Sequence, residues 1–582
     1  MCSTTITIPF LIFSFLLLFT PSLSAPPPPL PPPPSTPVPP STACNATLDP
    51  SFCRSVLPSR GSQNLYSYSR FSLAKSLGNA YKFLNLINHY LSPHRASKLS
   101  PTAVAALQDC RLLSGLNIDF LTSAGATLNA TNALLDPQAD QVQTLLSALM
   151  TNQQTCLDGL QAAASAWSVK KGLAVPISNS TKLYSVSLAL FTKAWVAPKS
   201  KKPKPRKGLT PSRLPTRRSL LFHEVVEYMG RHDELPLKMS EPQRELFEKR
   251  RGRRLLQASE GAMVHDIVVV SQDGSGNYTT VGAAVAAAPN NSDGTTGYYL
   301  IYVGSGVYEE YVVIPKNKKF LMMIGDGINQ TVITGNHSFV DGWTTFNSAT
   351  FAVVGQGFVA VNMTIRNTAG AAKHQAVALR NGADLSTFYS CSFEGYQDTL
   401  YTHSMRQFYR DCDIYGTVDY IFGNAAVVFQ NCNIYSRLPM HGQSNTVTAQ
   451  SRIDPNQNTG ISIQDSNFVA SPDLAADPKF AITYLGRPWK NYSRTVIMQS
   501  FMDSLIDPSG WMPWNGDFAL STLYYAEYNN TGPGSATGQR VTWPGYHVIN
   551  GTDAANFTVT SLVLGDNWLP QTGVPYLSGL LG

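Results

Sequence analysis

A short strand-like motif recurs five times in the second half of this chain and restricts its fold more than any other feature. The copies are VNMTI (361–365), SCSFE (390–394), DCDIY (411–415), NCNIY (431–435) and DSNFV (465–469). Spacings of 28, 21, 20 and 34 residues separate the aligned positions Met363, Cys391, Cys412, Cys432 and Ser466. The third to fifth residues of each copy alternate in polarity, as strands do. Such a repeat predicts the stacked coils of a parallel β-helix, with loop insertions in the longer intervals. A β-sandwich with accidental periodicity is the alternative.

The pattern of hydrophobic residues divides the chain into two domains. From Val264 onward, short runs of Val, Ile, Phe and Tyr are separated by Gly, Asn and Asp turns, with no long amphipathic helix after about residue 290. An all-β domain is therefore predicted over residues 257–582. From Cys44 to Trp195, apolar residues recur at spacings of three and four, and Gly and Pro are sparse. This segment predicts an antiparallel helical bundle over residues 44–195.

The N-terminus has the character of a targeting segment. A short apolar core at residues 8–19 is followed by small residues, so residues 1–25 are predicted to be a secretory signal peptide. Because no basic residue precedes the core, a signal anchor is the alternative. Residues 26–43 are predicted to be an extended, proline-rich spacer. Many N-x-S/T sequons fit a secreted glycoprotein, among them Asn45, Asn129, Asn179, Asn277, Asn329, Asn491 and Asn556.

The net charge of +7 is unevenly distributed and does not indicate a nucleic-acid-binding protein. Residues 1–256 contain 29 Lys and Arg against 13 Asp and Glu, whereas residues 257–582 contain 15 against 24. Most of the basic excess lies between Lys170 and Arg254, which predicts an exposed, mobile basic linker over residues 196–256. The linker ends in EKRRGRRLLQAS, and paired arginines in an exposed linker are accessible to cleavage by proteases. Proteolytic processing is predicted there, with an uncleaved tether as the alternative.

The cysteines have a distribution that is typical of a secreted protein. Cys2 would leave with the signal peptide, four cysteines lie in the helical part, and three lie in the β part. None has the C-x-x-C spacing of a zinc site. Four cysteines plus a further pair predict disulfides, with one thiol left over.

The repeat brings two aspartates together. Asp398 and Asp419 each lie seven residues after an aligned cysteine, so they should occupy equivalent positions on successive coils. Neighbouring strands are about 4.8 Å apart, and two carboxylates that close push one pKa up while the other stays ionised. This is the arrangement of a general acid beside a nucleophile or base. Two turn aspartates without a chemical role are the alternative.

Residues near the aspartates favour a chemical role. Gln397 and Gln375 carry amide N–H donors, which suit an oxyanion hole. Arg487 could hold one aspartate ionised, and Trp489 could support a sugar ring, although a surface arginine and a packed tryptophan are the plainer interpretations. The chain has no G-x-S-x-G motif, Walker lysine or dense acidic cluster. A serine hydrolase, a nucleotide site and a calcium site are therefore disfavoured.

Residues from about 264 to 575 resemble the plant pectin methylesterases, or pectinesterases. The motifs that carry the resemblance occur in the same order and include RNTAG, KHQAVALR, GYQDTLY, GTVDYIFGNAAVVFQ and YLGRPWKNYSRTV. Residues from about 44 to 165 resemble the pectin methylesterase inhibitor domain through CNATLDPSFCRSVL, ALQDC and MTNQQTCLDGL. The chain therefore looks like a precursor in which an inhibitor-like pro-region precedes an esterase.

The resemblance implies a right-handed parallel β-helix preceded by an all-α four-helix bundle. It implies hydrolysis of the methyl esters of homogalacturonan to pectate and methanol, without a metal or other cofactor. Asp419 would be the nucleophile, and Asp398 the proton donor and then the base. Gln397 and Gln375 would stabilise the oxyanion. The implied substrate contacts are Thr345, Gln375, Arg487 and Trp489.

The resemblance also implies covalent features and partners. The implied disulfides are Cys44–Cys53, Cys110–Cys156 and Cys412–Cys432, and the implied processing residues are Arg253, Arg254, Leu255 and Leu256. A second processing motif is matched only loosely by RRSLL (217–221), because Ser219 is inserted. The implied partners are pectin, the chain's own pro-region, separate inhibitor proteins and a secretory-pathway protease, with no nucleic acid. A secreted monomer of the plant cell wall is predicted.

Two further functions stay open from the residues alone. A retaining glycosidase also uses two carboxylates about 5 Å apart, but it has no oxyanion that a glutamine pair would stabilise. An inactive wall-binding or inhibitor protein is the non-enzymatic alternative, and the intact set of Asp, Gln and Arg residues argues against it.

Overall fold

The computed structural model describes residues 36–45, 47–59, 61–163, 167–196, 235–251 and 261–582. They form a helical domain (residues 40–195) and a β-helix domain (residues 261–582). The predicted signal peptide, most of the spacer and linker, and the predicted processing residues Arg253 to Leu256 lie outside the described part.

Four long helices dominate the helical domain. Its described helices are α1 (Pro40–Cys44), α2 (Pro50–Val56), α3 (Leu65–Tyr90), α4 (Pro93–Ala96), α5 (Pro101–Ala130), α6 (Asp136–Ala162) and α7 (Trp167–Trp195). Helices α3, α5, α6 and α7 each pack against two of the others and so form the predicted four-helix bundle. The disulfides Cys44–Cys53 and Cys110–Cys156 are present as predicted. The first helix begins at Pro40, within the segment predicted to be a spacer.

Twenty-seven described strands form three parallel sheets. In chain order they are β1 (Leu237–Lys238), β2 (Ala262–Val270), β3 (Tyr298–Val303), β4 (Gly306–Glu309), β5 (Val312–Ile314), β6 (Leu321–Gly325), β7 (Thr331–Gly335), β8 (Phe351–Val353), β9 (Val359–Val361), β10 (Thr364–Asn367), β11 (Leu379–Asn381), β12 (Ser386–Tyr389), β13 (Ser392–Glu394), β14 (Leu400–Thr402), β15 (Arg406–Arg410), β16 (Asp413–Gly416), β17 (Ile421–Gly423), β18 (Ala426–Gln430), β19 (Asn433–Ser436), β20 (Asn445–Gln450), β21 (Gly460–Gln464), β22 (Asn467–Ala470), β23 (Thr483–Gly486), β24 (Arg494–Met498), β25 (Phe501–Met502), β26 (Tyr524–Tyr528) and β27 (Tyr546–Val548).

From β3 to β23, each coil of the chain contributes one strand to each sheet. The order is β1-β2-β3-β6-β9-β12-β15-β18-β21-β24-β26-β27 in the largest sheet, β25-β22-β19-β16-β13-β10-β7-β4 in the second, and β23-β20-β17-β14-β11-β8-β5 in the third. The repeated motif lies in the second sheet, where Thr364, Ser392, Asp413, Asn433 and Asn467 pair in register. The parallel β-helix predicted from the repeat is confirmed, and the sandwich alternative is wrong.

The interior of the coil is filled by apolar side chains that stack at equivalent positions. Phe388, Tyr409 and Phe429 lie on successive strands of the largest sheet, with ring centres 5.0 and 4.7 Å apart. This stacking follows from the fixed register, because each coil presents the same position to the one above it.

The predicted Cys412–Cys432 disulfide is wrong. Both cysteines are buried free thiols, as is Cys391, and the three occupy one position on three successive coils. The thiols instead donate to backbone carbonyl oxygens. Cys412 Sγ lies 3.2 Å from Arg410 O.

Residues 235–251, predicted to be part of a mobile linker, are folded onto the β-helix domain. Strand β1 extends the largest sheet by pairing in parallel with β2. Helix α8 (Glu241–Arg251) places Phe247 against Tyr302, with ring centres 5.4 Å apart. Leu235, Leu237 and Phe247 are almost fully buried. The linker prediction is wrong here because these few apolar residues lie at the strand and helix positions that face the sheet.

Short helices complete the β-helix domain. They are α9 (Val281–Ala287), α10 (Pro472–Ala476), α11 (Gly551–Ala554), α12 (Val559–Leu562) and 3₁₀ segments at Ala371–Lys373, Ala555–Phe557, Gly565–Asn567 and Leu569–Thr572. Val559, Trp568 and Leu569 from the C-terminal segment pack in the same apolar cluster as Phe247. Within the described ranges, no helix has the length and apolar character needed to cross a membrane. The seven sequon asparagines named above are exposed, and their glycosylation stays a prediction.

Candidate active site

Asp398 and Asp419 occupy equivalent positions on neighbouring coils, as the repeat predicts. Each lies two residues before a strand of the third sheet, where Leu400 pairs with Ile421. Asp398 N donates to Val418 O at 3.0 Å, which joins the two segments. Both aspartates have a left-handed backbone, with φ of +62° and +52°. Non-glycine residues rarely adopt this conformation, which costs about 1–3 kcal/mol and clusters at functional sites.

Three side-chain hydrogen bonds hold the carboxylate group of Asp419 in one orientation. Arg487 Nε donates to Asp419 Oδ1 at 2.8 Å, and a terminal guanidinium nitrogen donates to Oδ2 at 2.7 Å. Thr446 Oγ1 donates to the same Oδ1 at 2.7 Å. A buried carboxylate would be costly without such partners, and a bidentate arginine is among the strongest available.

Thr446 is a site residue that the sequence interpretation missed. Ile421 pairs with Thr448, so Thr446 holds the position of Asp419 on the next coil. The offset of 27 residues departs from the spacing of 21 between the two aspartates, because a loop is inserted between β19 and β20. Aligning the coils by strand rather than by fixed spacing would have located it.

Asp398 has the opposite electrostatic environment. Burial raises the pKa of Asp398 well above its ordinary value, and the negative charge of Asp419 raises it further, while Arg487 opposes the shift in part. No ion pair to Asp398 occurs among the described residues. Asp398 is therefore the member of the pair whose environment favours the protonated form.

All seven predicted catalytic and substrate-binding residues line one cleft of about 560 Å³. They are Thr345, Gln375, Gln397, Asp398, Asp419, Arg487 and Trp489. Gln397 Oε1 is buried and has no hydrogen-bond partner in the described structure. No hydrogen bond to this oxygen therefore fixes the orientation of the amide group. A cluster of three or more His, Cys, Asp or Glu side chains suited to a metal ion is absent from the described ranges.

Aromatic side chains form the walls of the cleft. Tyr401 and Phe422 stack with ring centres 4.1 Å apart, and Trp489 lies 6.0 Å from Phe422. The guanidinium carbon of Arg487 lies 4.5 Å from the ring centre of Trp514. Trp514 therefore packs against the arginine that binds Asp419.

The helical domain forms the remaining wall of the cleft. Asp158 of α6 makes an ion pair with Lys490 at 2.9 Å, and Thr155 Oγ1 lies 3.0 Å from His403 Nε2. Leu107 and Leu113 of α5 share a buried apolar cluster with the cleft aromatics Phe346, Tyr401 and Phe422. The helical domain thus packs directly against the residues that line the cleft.

Two family models match this chain. Residues 267–566 match the family described as Pectinesterase, and residues 40–190 match the family described as Plant invertase/pectin methylesterase inhibitor. A relative from Arabidopsis thaliana, "Probable pectinesterase/pectinesterase inhibitor 41", is 58% identical over 93% of this chain and 94% of its own. "Pectinesterase/pectinesterase inhibitor PPE8B" from Prunus persica is 47% identical over 81% and 82%.

A solved structure extends this comparison. The pectin methylesterase from carrot is 56% identical, with a TM-score of 0.53, and the alignment covers 56% of this chain and all of that protein. The right-handed parallel β-helix and the matched domains define an ester hydrolase acting on a cell-wall polysaccharide. The chain belongs to the pectinesterase family and carries an inhibitor-type domain on the N-terminal side of its esterase domain.

Proposed function

We propose that the β-helix domain hydrolyses the methyl esters of homogalacturonan through Asp419 as nucleophile and Asp398 as acid and then base. The observation that carries this proposal is the asymmetry of the pair. Arg487 and Thr446 hold Asp419 in one orientation with its oxygens charged. Asp398, one coil away, is buried, and burial together with the charge of Asp419 raises its pKa well above the ordinary value. One carboxylate is thus prepared to attack and the other to donate a proton.

The first half of the reaction releases methanol. A carboxylate oxygen of Asp419 attacks the ester carbonyl carbon, and negative charge develops on the carbonyl oxygen. The amides of Gln375 and Gln397 donate hydrogen bonds to this oxygen. Asp398 gives its proton to the departing methoxy oxygen as the C–O bond breaks. Methanol leaves, and an anhydride links Asp419 to the sugar carboxyl carbon.

The second half restores the enzyme. Asp398, now ionised, takes a proton from a water molecule, and the resulting hydroxide attacks the anhydride carbonyl carbon. The bond to Asp419 breaks, which releases the galacturonic acid residue, and its carboxyl proton passes to the solvent. Asp419 regains its negative charge beside Arg487, and Asp398 regains its proton, so both groups return to their starting states.

The glutamine pair favours this reaction over glycoside hydrolysis. Both glutamines line the cleft beside the aspartates. An amide donor stabilises the oxyanion of an ester reaction, whereas the transition state of a glycosidase carries positive charge on the sugar ring. Ester hydrolysis therefore gives both glutamines a role, whereas glycoside hydrolysis offers them no oxyanion.

The test measures methanol and new reducing ends from esterified pectin, with enzyme recovered from the medium of plant cells that express the full chain. Asp419→Asn should abolish methanol release and leave the melting temperature near that of wild type. Asp411→Asn is the matched control, because Asp411 also has a left-handed backbone, with φ of +53°, and lies on the same coil outside the cleft. Near-normal methanol release by Asp419→Asn, or reducing ends from wild type, would reject the assignment.

The second element of the proposal is that the docked helical domain keeps a secreted precursor inactive until it is cleaved. Support comes from the contacts of Thr155 and Asp158 inside the cleft. Thr155→Arg should force the domains apart and raise methanol release by the uncleaved chain. Thr122→Arg, at an exposed position of α5, should have no effect. Equal activity of wild type and Thr155→Arg would contradict the inhibitory role.

A further inference from the structure

Residues 235–251 are attached to the β-helix domain through the backbone of β1. Leu237 on β1 pairs in register with Ala262 on β2, and Ala262 N donates to Pro236 O at 2.9 Å. A Cβ atom on Gly261 would lie 2.4 Å from Pro236 O, so the close approach of the two backbones requires a glycine at this position. The two strands are therefore fitted to each other where they meet.

Helix α8 adds side-chain contacts to this interface. Phe247 is 1% exposed and packs against Tyr302, whereas its neighbour Leu246 is 36% exposed. Gln243 Nε2 donates to His265 O on β2 at 2.7 Å. One face of the short helix thus binds the β-helix domain through an aromatic ring and a hydrogen bond, while the adjacent face meets solvent.

This interface is separate from the cleft. Strands β2 and β12 are four strands apart in the largest sheet, and Asp398 lies on the coil that begins with β12. At about 4.8 Å per strand, β2 lies roughly 19 Å from the aspartates along the helix axis. The described residues that line the cleft include none from residues 235–251. The segment therefore occupies a different surface from the one that the helical domain contacts at the cleft.

The order of the chain would place the two sides of this interface on different products of cleavage. Residues 235–251 follow the helical domain, which ends at Trp195, and precede the predicted processing residues Arg253 to Leu256, whereas β2 begins after them at Ala262. Hydrolysis of one peptide bond there consumes one water molecule. It leaves a carboxylate at the end of the pro-region and an amino group at the start of the esterase. The segment would stay on the pro-region, although its partner strand belongs to the esterase.

We propose that residues 235–251 are a second attachment site of the pro-region and keep it bound to the β-helix domain after the chain is cleaved. A short peptide that adds a strand to the end of a sheet is a common mode of recognition. Two attachments on one polypeptide strengthen each other, because each holds the other near its site when that one opens. Release of the pro-region then requires β1 and α8 to separate from the β-helix domain, in addition to cleavage. The consequence for activity rests on the proposed inhibitory function, whereas retention of the pro-region does not.

The test uses the full chain with a recognition sequence for a site-specific protease in place of residues 253–259. The protein is purified from plant cells, cleaved and diluted to nanomolar concentration. Size-exclusion chromatography then measures how much of the pro-region remains bound at increasing times. The same measurement is made on the variants Phe247→Ala and Gln243→Ala and on the control Leu246→Ala, which changes an exposed side chain of the same helix.

The wild-type sequence and the control should release the pro-region slowly and at equal rates. Phe247→Ala should release it at least about tenfold faster, because a buried position of the interface is emptied. Gln243→Ala should release it about two- to fivefold faster, because one hydrogen bond is lost. Separation of the wild-type pieces immediately after cleavage, or equal release rates for Phe247→Ala and the control, would overturn the proposal.

Hydrogen–deuterium exchange follows the interface independently of the helical domain. The amide of Ala262, which donates to Pro236 O, should exchange slowly before and after cleavage in the wild-type sequence. After cleavage of Phe247→Ala it should exchange at least about tenfold faster. Fast exchange of this amide in the cleaved wild-type protein would also overturn the proposal. A cleaved complex that keeps its pro-region but releases methanol as fast as the separated esterase would contradict the proposed inhibitory function instead.

Discussion

Docking of the helical domain onto the β-helix domain should depend on pH through two side chains, Asp109 and His403. Their effects on the docking equilibrium should have opposite signs. Burial raises the pKa of Asp109 to about 7, while Thr344 and Arg380 oppose the shift in part. Burial lowers the pKa of His403 to about 3, and the positive charge of Arg380 lowers it further. Near pH 5, docking therefore takes up a proton at Asp109 and releases one from His403.

The size of each effect follows from the difference in the pKa of the side chain between the docked and separated states. In the separated state water reaches both side chains, and their pKa values return towards 3.8 for Asp109 and 6.5 for His403. Asp109 favours docking fully below pH 3.8 and loses this contribution as the pH rises to about 7. His403 favours docking fully above pH 6.5 and loses its contribution as the pH falls to about 3. Each slope is about 1.36 kcal/mol per pH unit, or tenfold in the docking constant.

The contributions of Asp109 and His403 should oppose each other between about pH 4 and 6.5, and single substitutions should reveal each of them. With Asp109→Asn, docking should strengthen as the pH rises, and with His403→Gln it should weaken. The assay follows domain separation of the uncleaved chain in urea by small-angle X-ray scattering at several pH values. Asp119→Asn, which removes a partly exposed ion pair with Lys316, should behave as wild type. If the docking constant changed with pH in the same direction in both variants, the reasoning would be refuted.

Three further predictions concern the site, the folded linker segment and the thiols. Arg487→Lys keeps the positive charge but loses the bidentate bond to Asp419, so kcat for methanol release should fall at least about tenfold; an unchanged kcat would count against the role of the arginine. Phe247→Ala should lower the free energy of unfolding of the β-helix domain by about 3–5 kcal/mol, measured in urea, because it empties a buried position; an unchanged value would mean that α8 is not part of this domain. The enzyme from the medium, denatured without reductant, should show three reactive thiols, at Cys391, Cys412 and Cys432, whereas a single thiol would demonstrate a disulfide.

The repeat allowed the β-helix and the proximity of the aspartates to be predicted, because fixed register converts sequence spacing into distance. Asp398 and Asp419 therefore lie where the spacing of 21 residues placed them. Thr446 was not predicted, because an inserted loop changes the spacing between its coil and the preceding one. The Cys412–Cys432 bond was predicted from the resemblance alone and is absent in the structure.

Contacts between the domains have no periodic signal in the sequence. Asp109 and Thr344 are 235 residues apart and meet only when the two domains pack together. The folded segment 235–251 was missed for a related reason. Its composition is polar and basic overall, and only a few apolar residues, such as Leu237 and Phe247, attach it to the sheet. The average composition of the linker does not reveal a few isolated apolar residues that pack against the sheet.

Strand β1 has a consequence for solubility. The ends of an open sheet carry unpaired backbone N–H and C=O groups that can pair with another copy of the chain. Strand β1 covers the β2 end of the largest sheet, and α8 shields the apolar surface beside it. A form of the protein that lacks residues 235–251 would expose the edge of β2, from Ala262 onward, together with the ring of Tyr302. Stacking of such molecules end to end would extend the coil from one copy into the next.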